Sequence, residues 1–406
     1  MGCMESQVSR VTRHTPAAAD LPARAGKSFF FAGGGTGGHI YPAIAVAERI
    51  VDLEPGAKVH FFCSGREIDS KVLQRSGFAY TTLPAEGLSV RPGKLMRFCR
   101  SFIKSYRIAR AAIVESKHAR RGGDVVVIGV GGFVAGPVCL AAHRLKAPIA
   151  VLNVDMVPGR ANKLIARWAD EIFVQFDDTR DYFAGSKAKV SVVGCPLRKG
   201  FDDPQPNRAI EQLGLDKPTA AGKRKKILLV TGASSGAANI NDAVCSILEK
   251  LDAFVGDWQI VHLTGQTHFE NVKAKYEWAN ISRKILAYYD DMPDLLAAAD
   301  LLIGRSGAVS VAEYAVAGVP SICMPYPYHK DRHQYLNAGK LVEAGAAVIV
   351  DDLPESNERA EWLWEELEEL MKDENKRRKM AENCADVAKM DAASRIAQRL
   401  LGAYKG

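Results

Sequence analysis

The sequence predicts an α/β protein of two doubly wound, Rossmann-like halves, and three observations carry that prediction. Apolar, β-leaning runs end repeatedly in glycine-rich turns that open helices. The pattern starts twice, at Phe29-Phe30-Phe31 before Gly33–Gly38 and again at Lys226–Val230 before Thr231–Ala237. Between the two starts, from Lys199 to Lys226, the composition shifts to Asp, Pro, Gly and Lys, as in an interdomain linker. A chain of 406 residues, 47% of them apolar, has material for two cores. Two such repeats predict facing doubly wound domains with an interdomain cleft at the carboxyl ends of the strands.

Four segments follow: a polar, Ala-rich tail at 1–27, a first domain at 28–198, a linker at 199–225 and a second domain at 226–406. In the first loop, five glycines and Thr36 lead to His39, with a helix expected to open near Pro42, since proline suits a first helical turn. Glycine lets the backbone approach a ligand, and a helix start offers N–H groups. A second strand at 58–63, a helix around 69–76 and a short strand at 80–83 come next. From Lys94 to Ser116, Leu95, Phe98, Phe102, Tyr106, Ala109 and Ile113 recur at helical spacing. The buried strand at 124–128 then enters a second glycine loop, Gly129–Pro137, and the strand at 147–153 precedes a helix at 161–168. In the second half, strands at 258–263, 301–303 and 320–324 alternate with helices, and 355–404 reads as two or three helices.

Charge is unevenly placed. Ten Lys or Arg lie between Arg91 and Arg121 against the single acid Glu115, a local excess above the +7 of the whole chain. Such a helix calls for an anionic partner, and a membrane surface fits its mixed apolar and basic make-up. A single-strand nucleic-acid platform would show exposed interleaved aromatics, whereas here the aromatics share the apolar stripe, so no nucleic acid is expected. No apolar run reaches the ~20 residues of a spanning helix. Eight scattered cysteines without a Cys-x-x-Cys pair argue for reduced thiols and against structural zinc. The first residues, Met1-Gly2-Cys3-Met4-Glu5-Ser6, fit the short N-myristoylation pattern, which also arises by chance.

Gly34-Gly35-Thr36-Gly37-Gly38-His39, Gly131-Gly132-Phe133-Val134-Ala135-Gly136-Pro137, Pro158-Gly159-Arg160-Ala161-Asn162-Lys163, Arg305-Ser306-Gly307-Ala308 and His329-Lys330-Asp331-Arg332 occur in this order. Together, from about Phe29 onward, the chain resembles the MurG glycosyltransferases. The resemblance implies the two-domain GT-B fold and transfer of N-acetylglucosamine from UDP to the muramyl sugar of lipid I, with inversion, at the cytoplasmic face of the membrane. It implies that Ser234, Arg198 and the turn Ala308-Val309-Ser310 to Glu313 hold diphosphate and ribose. Tyr289 then lies where uracil meets backbone, and Gln334 and Asn241 where the sugar is held. Thr36, Gly37, Gly38 and Phe133 of the two glycine loops complete the substrate-binding set. Taken singly, Glu313 could be a solvated helix residue, Arg198 a surface ion pair and Asn241 a helix cap.

The chemistry of that reaction fits the residues. No Asp-x-Asp is present to hold a divalent metal at a diphosphate, and helix N-termini can stabilise the leaving group instead, so neither metal nor cofactor is expected. An acceptor hydroxyl needs a base, and His39 is the candidate, its alternative being a residue that caps the following helix. One departure from the family stands out. Where MurG proteins commonly read His-Glu-Gln-Asn, this chain reads Leu152-Asn153-Val154-Asp155. Asp155 could take over a catalytic role by orienting the acceptor or His39, or the site could serve another lipid-linked sugar. Competing assignments are a related GT-B enzyme with another lipid acceptor, such as a diacylglycerol, a nucleotide-sugar epimerase of that fold, and an NAD-dependent Rossmann oxidoreductase. Against the last, the second strand ends in Cys63-Ser64-Gly65-Arg66, with no acid for a ribose before Glu67.

Overall fold

The structure is a computed structural model describing residues 26–34, 37–87, 91–119, 124–216, 224–233 and 236–402. Thr36, Ser234, most of the 1–27 tail with its acylation pattern, and Arg120 and Arg121 lie outside the described residues. The chain divides into two compact units, and each is built on a parallel sheet.

The first unit comprises residues 26–154, 158–193 and 393–402. Its strands are β1 Ser28–Ala32, β2 Lys58–Ser64, β3 Ala79–Leu83, β4 Val125–Gly129, β5 Ile149–Asn153, β6 Glu171–Val174 and β7 Lys189–Val192. Helices α1 Gly37–Leu53, α2 Glu67–Ser76, α3 Pro92–Ala119, α4 Gly132–Arg144 and α5 Arg160–Ile165 alternate with them. The sheet order is β3-β2-β1-β4-β5-β6-β7, all parallel, so β1 is an interior strand beside β4, where the winding reverses. That position explains the Phe29-Phe30-Phe31 run. A central strand is covered on both faces, and all five β1 residues are buried. Phe30 stacks on Phe62 at 5.6 Å and Phe31 on Phe61 at 5.1 Å, tying β1 to β2 through both faces.

The second unit comprises 155–157 and 194–392. It contains α6 Pro206–Leu213, β8 Lys226–Thr231, α7 Ala238–Ser246, α8 Leu248–Leu251, β9 Trp258–Leu263, α9 Phe269–Lys275, β10 Ser282–Leu286 and α10 Met292–Ala298. After these come β11 Leu301–Gly304, α11 Ala308–Ala317, β12 Ser321–Cys323, α12 His333–Glu343, β13 Ala347–Ile349, α13 Ser356–Lys372 and α14 Glu374–Asn383. Its sheet runs β10-β9-β8-β11-β12-β13, also all parallel, with β8 and β11 flanking the reversal. The last helix, α15 Ala392–Gly402, leaves this unit and packs in the first, where Lys27 Nζ donates to the Leu401 carbonyl at 2.7 Å.

Four sequence boundaries shift. The stretch expected as linker, 199–225, holds α6, whose Ala209, Ile210 and Leu213 are buried in the second unit. Only eight residues long and preceded by Asp and Pro, it looks like loop until Asp294 takes the Gln205 N–H at 2.7 Å and Arg208 Nε at 2.5 Å. Asp155, placed by sequence in the first domain, folds with the second unit, and residues beyond 392, placed in the second, fold with the first. Helix α1 opens at Gly37 instead of Pro42, and Pro42 costs it one internal hydrogen bond. Helix α4 repeats the design, with Pro137 at its sixth residue as Pro42 is in α1.

Candidate functional site

Two clusters of predicted residues form, one in each unit. In the first unit the loops after β1 and β4 lie backbone against backbone. Gly131 and Gly132 have φ of 126° and 75°, and a side chain on Gly132 would meet the Gly34 carbonyl oxygen at 2.6 Å. Only glycine satisfies both demands. A side chain on Gly131 would meet the His39 Nε2 at 3.3 Å and the Asn162 Oδ1 at 3.6 Å, so His39 and Asn162 border the same glycine. Because α1 begins at Gly37, His39 stands in its first turn, half-buried, and Gly38 beside it is exposed. Phe133 is 56% exposed and its ring lies over Gly87. Asn162 donates to Asn153 Oδ1 at 3.0 Å with both residues buried, so this chain carries a neutral amide pair at the end of β5.

In the second unit the predicted donor residues surround the first turn of α11. Gly307 precedes the helix in extended geometry, and Ala308, Val309 and Ser310 form its first turn. Here the helix presents its positive dipole end, suited to phosphate. One turn further, Glu313 faces Arg198, with Oε1 and Nη2 4.0 Å apart. Arg198 also donates to the Asp290 carbonyl at 3.4 Å. Glu313 keeps 17% of its side chain exposed. Burial pushes its carboxyl up to about 7, against the pull of the Arg198 guanidinium.

The loop before α11 is braced from below. Arg305 donates to the Met324 carbonyl and pairs with buried Asp352, each at 2.8 Å, while Tyr314 donates to the Arg305 carbonyl at 2.9 Å. Ser306 donates to the Gln334 carbonyl at 2.9 Å, and the Gln334 Oε1 accepts the Tyr326 N–H at 2.9 Å. Asn337, fully buried on α12, holds the Asp155–Val157 segment. Its Oδ1 accepts the Met156 N–H at 3.1 Å, and its Nδ2 faces the Asp155 Oδ1 at 3.5 Å and the Ser306 carbonyl at 3.3 Å. Asp352 and Asn337 were not singled out from sequence, and Arg305 was read only as part of the Arg305-Ser306-Gly307-Ala308 motif, without the partners that brace it.

Asn241 is engaged within its own unit. It is buried; its Nδ2 donates to the Thr264 carbonyl at 2.9 Å and its Oδ1 lies 3.0 Å from His262 Nε2. His262 Nδ1 meets the Tyr276 hydroxyl at 3.0 Å, and burial pushes that imidazole down to about 3, so it is neutral. Asn241 thus anchors the turn after β9. Tyr289, in the loop before α10, donates its hydroxyl to Gln212 at 2.7 Å, leaving its backbone to line that loop.

Two parallel-sheet units, each with a helix opening at a glycine-containing loop, have the architecture of the GT-B fold. The glycosyltransferase family 28 N-terminal domain matches residues 29–174 and its C-terminal domain residues 227–399. The chain is 33% identical over 371 residues to the UDP-N-acetylglucosamine–N-acetylmuramyl-(pentapeptide) pyrophosphoryl-undecaprenol N-acetylglucosamine transferase of Desulfitobacterium hafniense, covering 90% of this chain and 96% of the relative. It is 34% identical over 365 residues to the enzyme of that name from Syntrophus aciditrophicus, covering 90% and 95%. The crystal structure of Acinetobacter baumannii MurG superposes with a TM-score of 0.67 at 24% identity, covering 93% of this chain and 99% of that one. A Neisseria meningitidis UDP-GlcNAc 2-epimerase bound to UDP-GlcNAc shares the fold, with a TM-score of 0.65 at 14% identity and coverage of 92% and 99%. The chain belongs to glycosyltransferase family 28, among its MurG-type UDP-N-acetylglucosamine-dependent transferases.

Proposed function

We propose that this protein transfers N-acetylglucosamine from UDP to the muramyl sugar of the polyprenyl-linked acceptor lipid I, at the cytoplasmic face of a membrane. The observation that carries this reading is the correspondence along both domains with relatives named for that reaction. The acceptor hydroxyl attacks the anomeric carbon of the donor, forming the new glycosidic bond from the opposite face. The bond to the β-phosphate oxygen breaks, UDP leaves with the electron pair, and His39 takes the hydroxyl proton. Arg198 and the first turn of α11 (Ala308, Val309 and Ser310) offset the charge on UDP without a metal, and Ser234 joins them. Glu313 accepts the ribose hydroxyls, the Tyr289 backbone meets uracil, and Gln334 meets the sugar. Asn241 serves this site by fixing the Thr264–Gly265 turn. Thr36, Gly37, Gly38 and Phe133 contribute to acceptor binding.

A second reading, that another lipid-linked sugar is the acceptor, is favoured by one observation. The end of β5 carries the buried Asn153–Asn162 amide pair where the family places an acid, and Asp155 is held by Asn337. Purified protein should therefore be offered lipid I, other polyprenyl-linked sugars and diacylglycerol with UDP-N-acetylglucosamine. Lipid I is expected to be used, with Asp155→Ala lowering turnover at least about tenfold and Leu152→Ala not doing so. Inactivity on lipid I in protein that binds UDP overturns the acceptor while leaving the donor assignment intact.

A further inference from the structure

The segment from Pro325 to Gln334, between β12 and α12, gathers more chemistry than donor binding uses. His329, Asp331 and His333 follow one another at spacing of two, and their ligand-capable atoms all lie within 4.8 Å of one another. The backbone is bent to achieve this. Arg332 takes the left-handed conformation, φ 49° and ψ 27°, unusual for a residue with a long side chain, and it turns the chain so that Asp331 and His333 face each other. The Asp331 Oδ1 lies 2.7 Å from His333 Nδ1, and the two imidazoles sit 4.4 Å apart between centroids. Tyr326 closes on His329 edge-on at 4.9 Å. The flanking cations are Lys330 and Arg332; the Arg332 guanidinium is drawn over the Tyr335 ring at 4.3 Å.

We propose that His329, Asp331 and His333 form a binding site for a first-row transition-metal ion of the Zn²⁺ type, with water completing the coordination. Ligand atoms on a tetrahedral zinc, each ~2.0–2.1 Å from the ion, stand roughly 3.3 Å from one another. The present separations, from 2.7 Å to at most 4.8 Å, bracket that value. Two imidazoles with one carboxylate select zinc, nickel or copper over magnesium, which prefers oxygen alone. The site is distinct from diphosphate binding, which remains metal-free. Because His333 adjoins Gln334, whose carbonyl and amide hold Ser306 and the Tyr326 N–H, occupancy ties down the loop that carries Gln334.

The test uses untagged, full-length protein stripped with a chelator and titrated with Co²⁺ and then Zn²⁺. Visible d–d absorption reports the Co²⁺ site, and the thermal midpoint reports binding to the native state. One Co²⁺ should bind per chain at micromolar levels and be displaced by Zn²⁺ but not by Mg²⁺. His329→Gln and His333→Gln should each weaken binding at least about tenfold, since each removes one of three protein ligands. Circular dichroism and UDP binding by the variants establish that they are folded. Cys99→Ser should bind Co²⁺ as the wild type does, for Cys99 is the exposed thiol among the described cysteines. Failure of the wild type to bind at ~100 μM ion, well above the usual range of three-ligand sites, overturns the proposal. So does wild-type affinity in both histidine variants, or a thiolate charge-transfer band that Cys99→Ser removes.

Discussion

A half-buried carboxylate beside a guanidinium has a definite pH signature, and Glu313 provides it. Its folded-state carboxyl titrates near 7 where the free group titrates near 4.5, so the native state holds the proton longer than the unfolded chain does. The associated stability is complete below pH 4.5 and is lost as pH rises to about 7. The thermal midpoint of the wild type relative to Glu313→Gln should therefore fall between about pH 5 and pH 8 in the absence of ligand. UDP-sugar affinity should move the other way over that window, because the ionised carboxylate is the stronger acceptor of ribose hydroxyls. Calorimetry across the range checks this, and a flat profile identical in the variant counts against it. Glu313→Ala should weaken donor binding by about 1–3 kcal/mol. His39→Ala should lower turnover by about 10²–10⁴ while sparing UDP affinity, and wild-type turnover would mark His39 as a helix-start residue only. These side chains were legible because each stands where a strand hands over to a helix. Asn337 and Asp352 were not, since their partners, Asp155 and Arg305, are distant in sequence and no local pattern announces the pairing.

At the scale of elements, α3 shows how far periodicity reaches. The three- and four-residue spacing finds the helix, and in its second half Tyr106 is half-buried while Ala109 and Ile113 are buried. Its first half stays largely in water. Leu95, Met96 and Ile103 are 41%, 55% and 51% exposed, while Phe98 and Phe102 are half-buried and Phe102 packs on Gly136 of α4. An apolar stripe alone cannot tell a core-facing residue from one left in water. Exposed Leu95, Met96 and Ile103 lie among Lys94, Arg97, Arg100 and Lys104, a make-up that suits the membrane surface proposed above, although Arg97 is paired with Glu86 at 2.9 Å. Co-sedimentation with anionic vesicles should be strong, fall with salt, and weaken when Leu95, Met96 and Ile103 are all changed to Ser. Binding to neutral vesicles equal to that on anionic ones would remove the electrostatic part. None of the described helices is long and apolar enough to cross a membrane.

At the scale of the whole molecule, the alternation of strand and helix made both sheets readable, because a parallel strand covered on two faces shows an unbroken apolar run. The return of α15 was not readable, since an amphipathic helix near the end of the sequence gives no sign of which core will receive it. In the first unit Arg399 pairs with Glu171, buried on β6, and also donates to Ser191 at 2.6 Å. Arg399→Ala should cost about 1–3 kcal/mol, because Glu171 is buried but keeps the Ser191 hydroxyl, and Arg399 is itself partly exposed. Urea unfolding would detect it, and Arg399→Lys should recover part of the loss. The same arrangement bears on birth at the ribosome. Residues 26–193 emerge first, yet they lack α15 until residue 393 and its successors are made, about 200 residues later. At roughly 5–20 residues per second, that interval is on the order of 10–40 s. For that time Glu171 has no guanidinium and the seat of α15 is bare, so a nascent chain in this window is a natural client for chaperones.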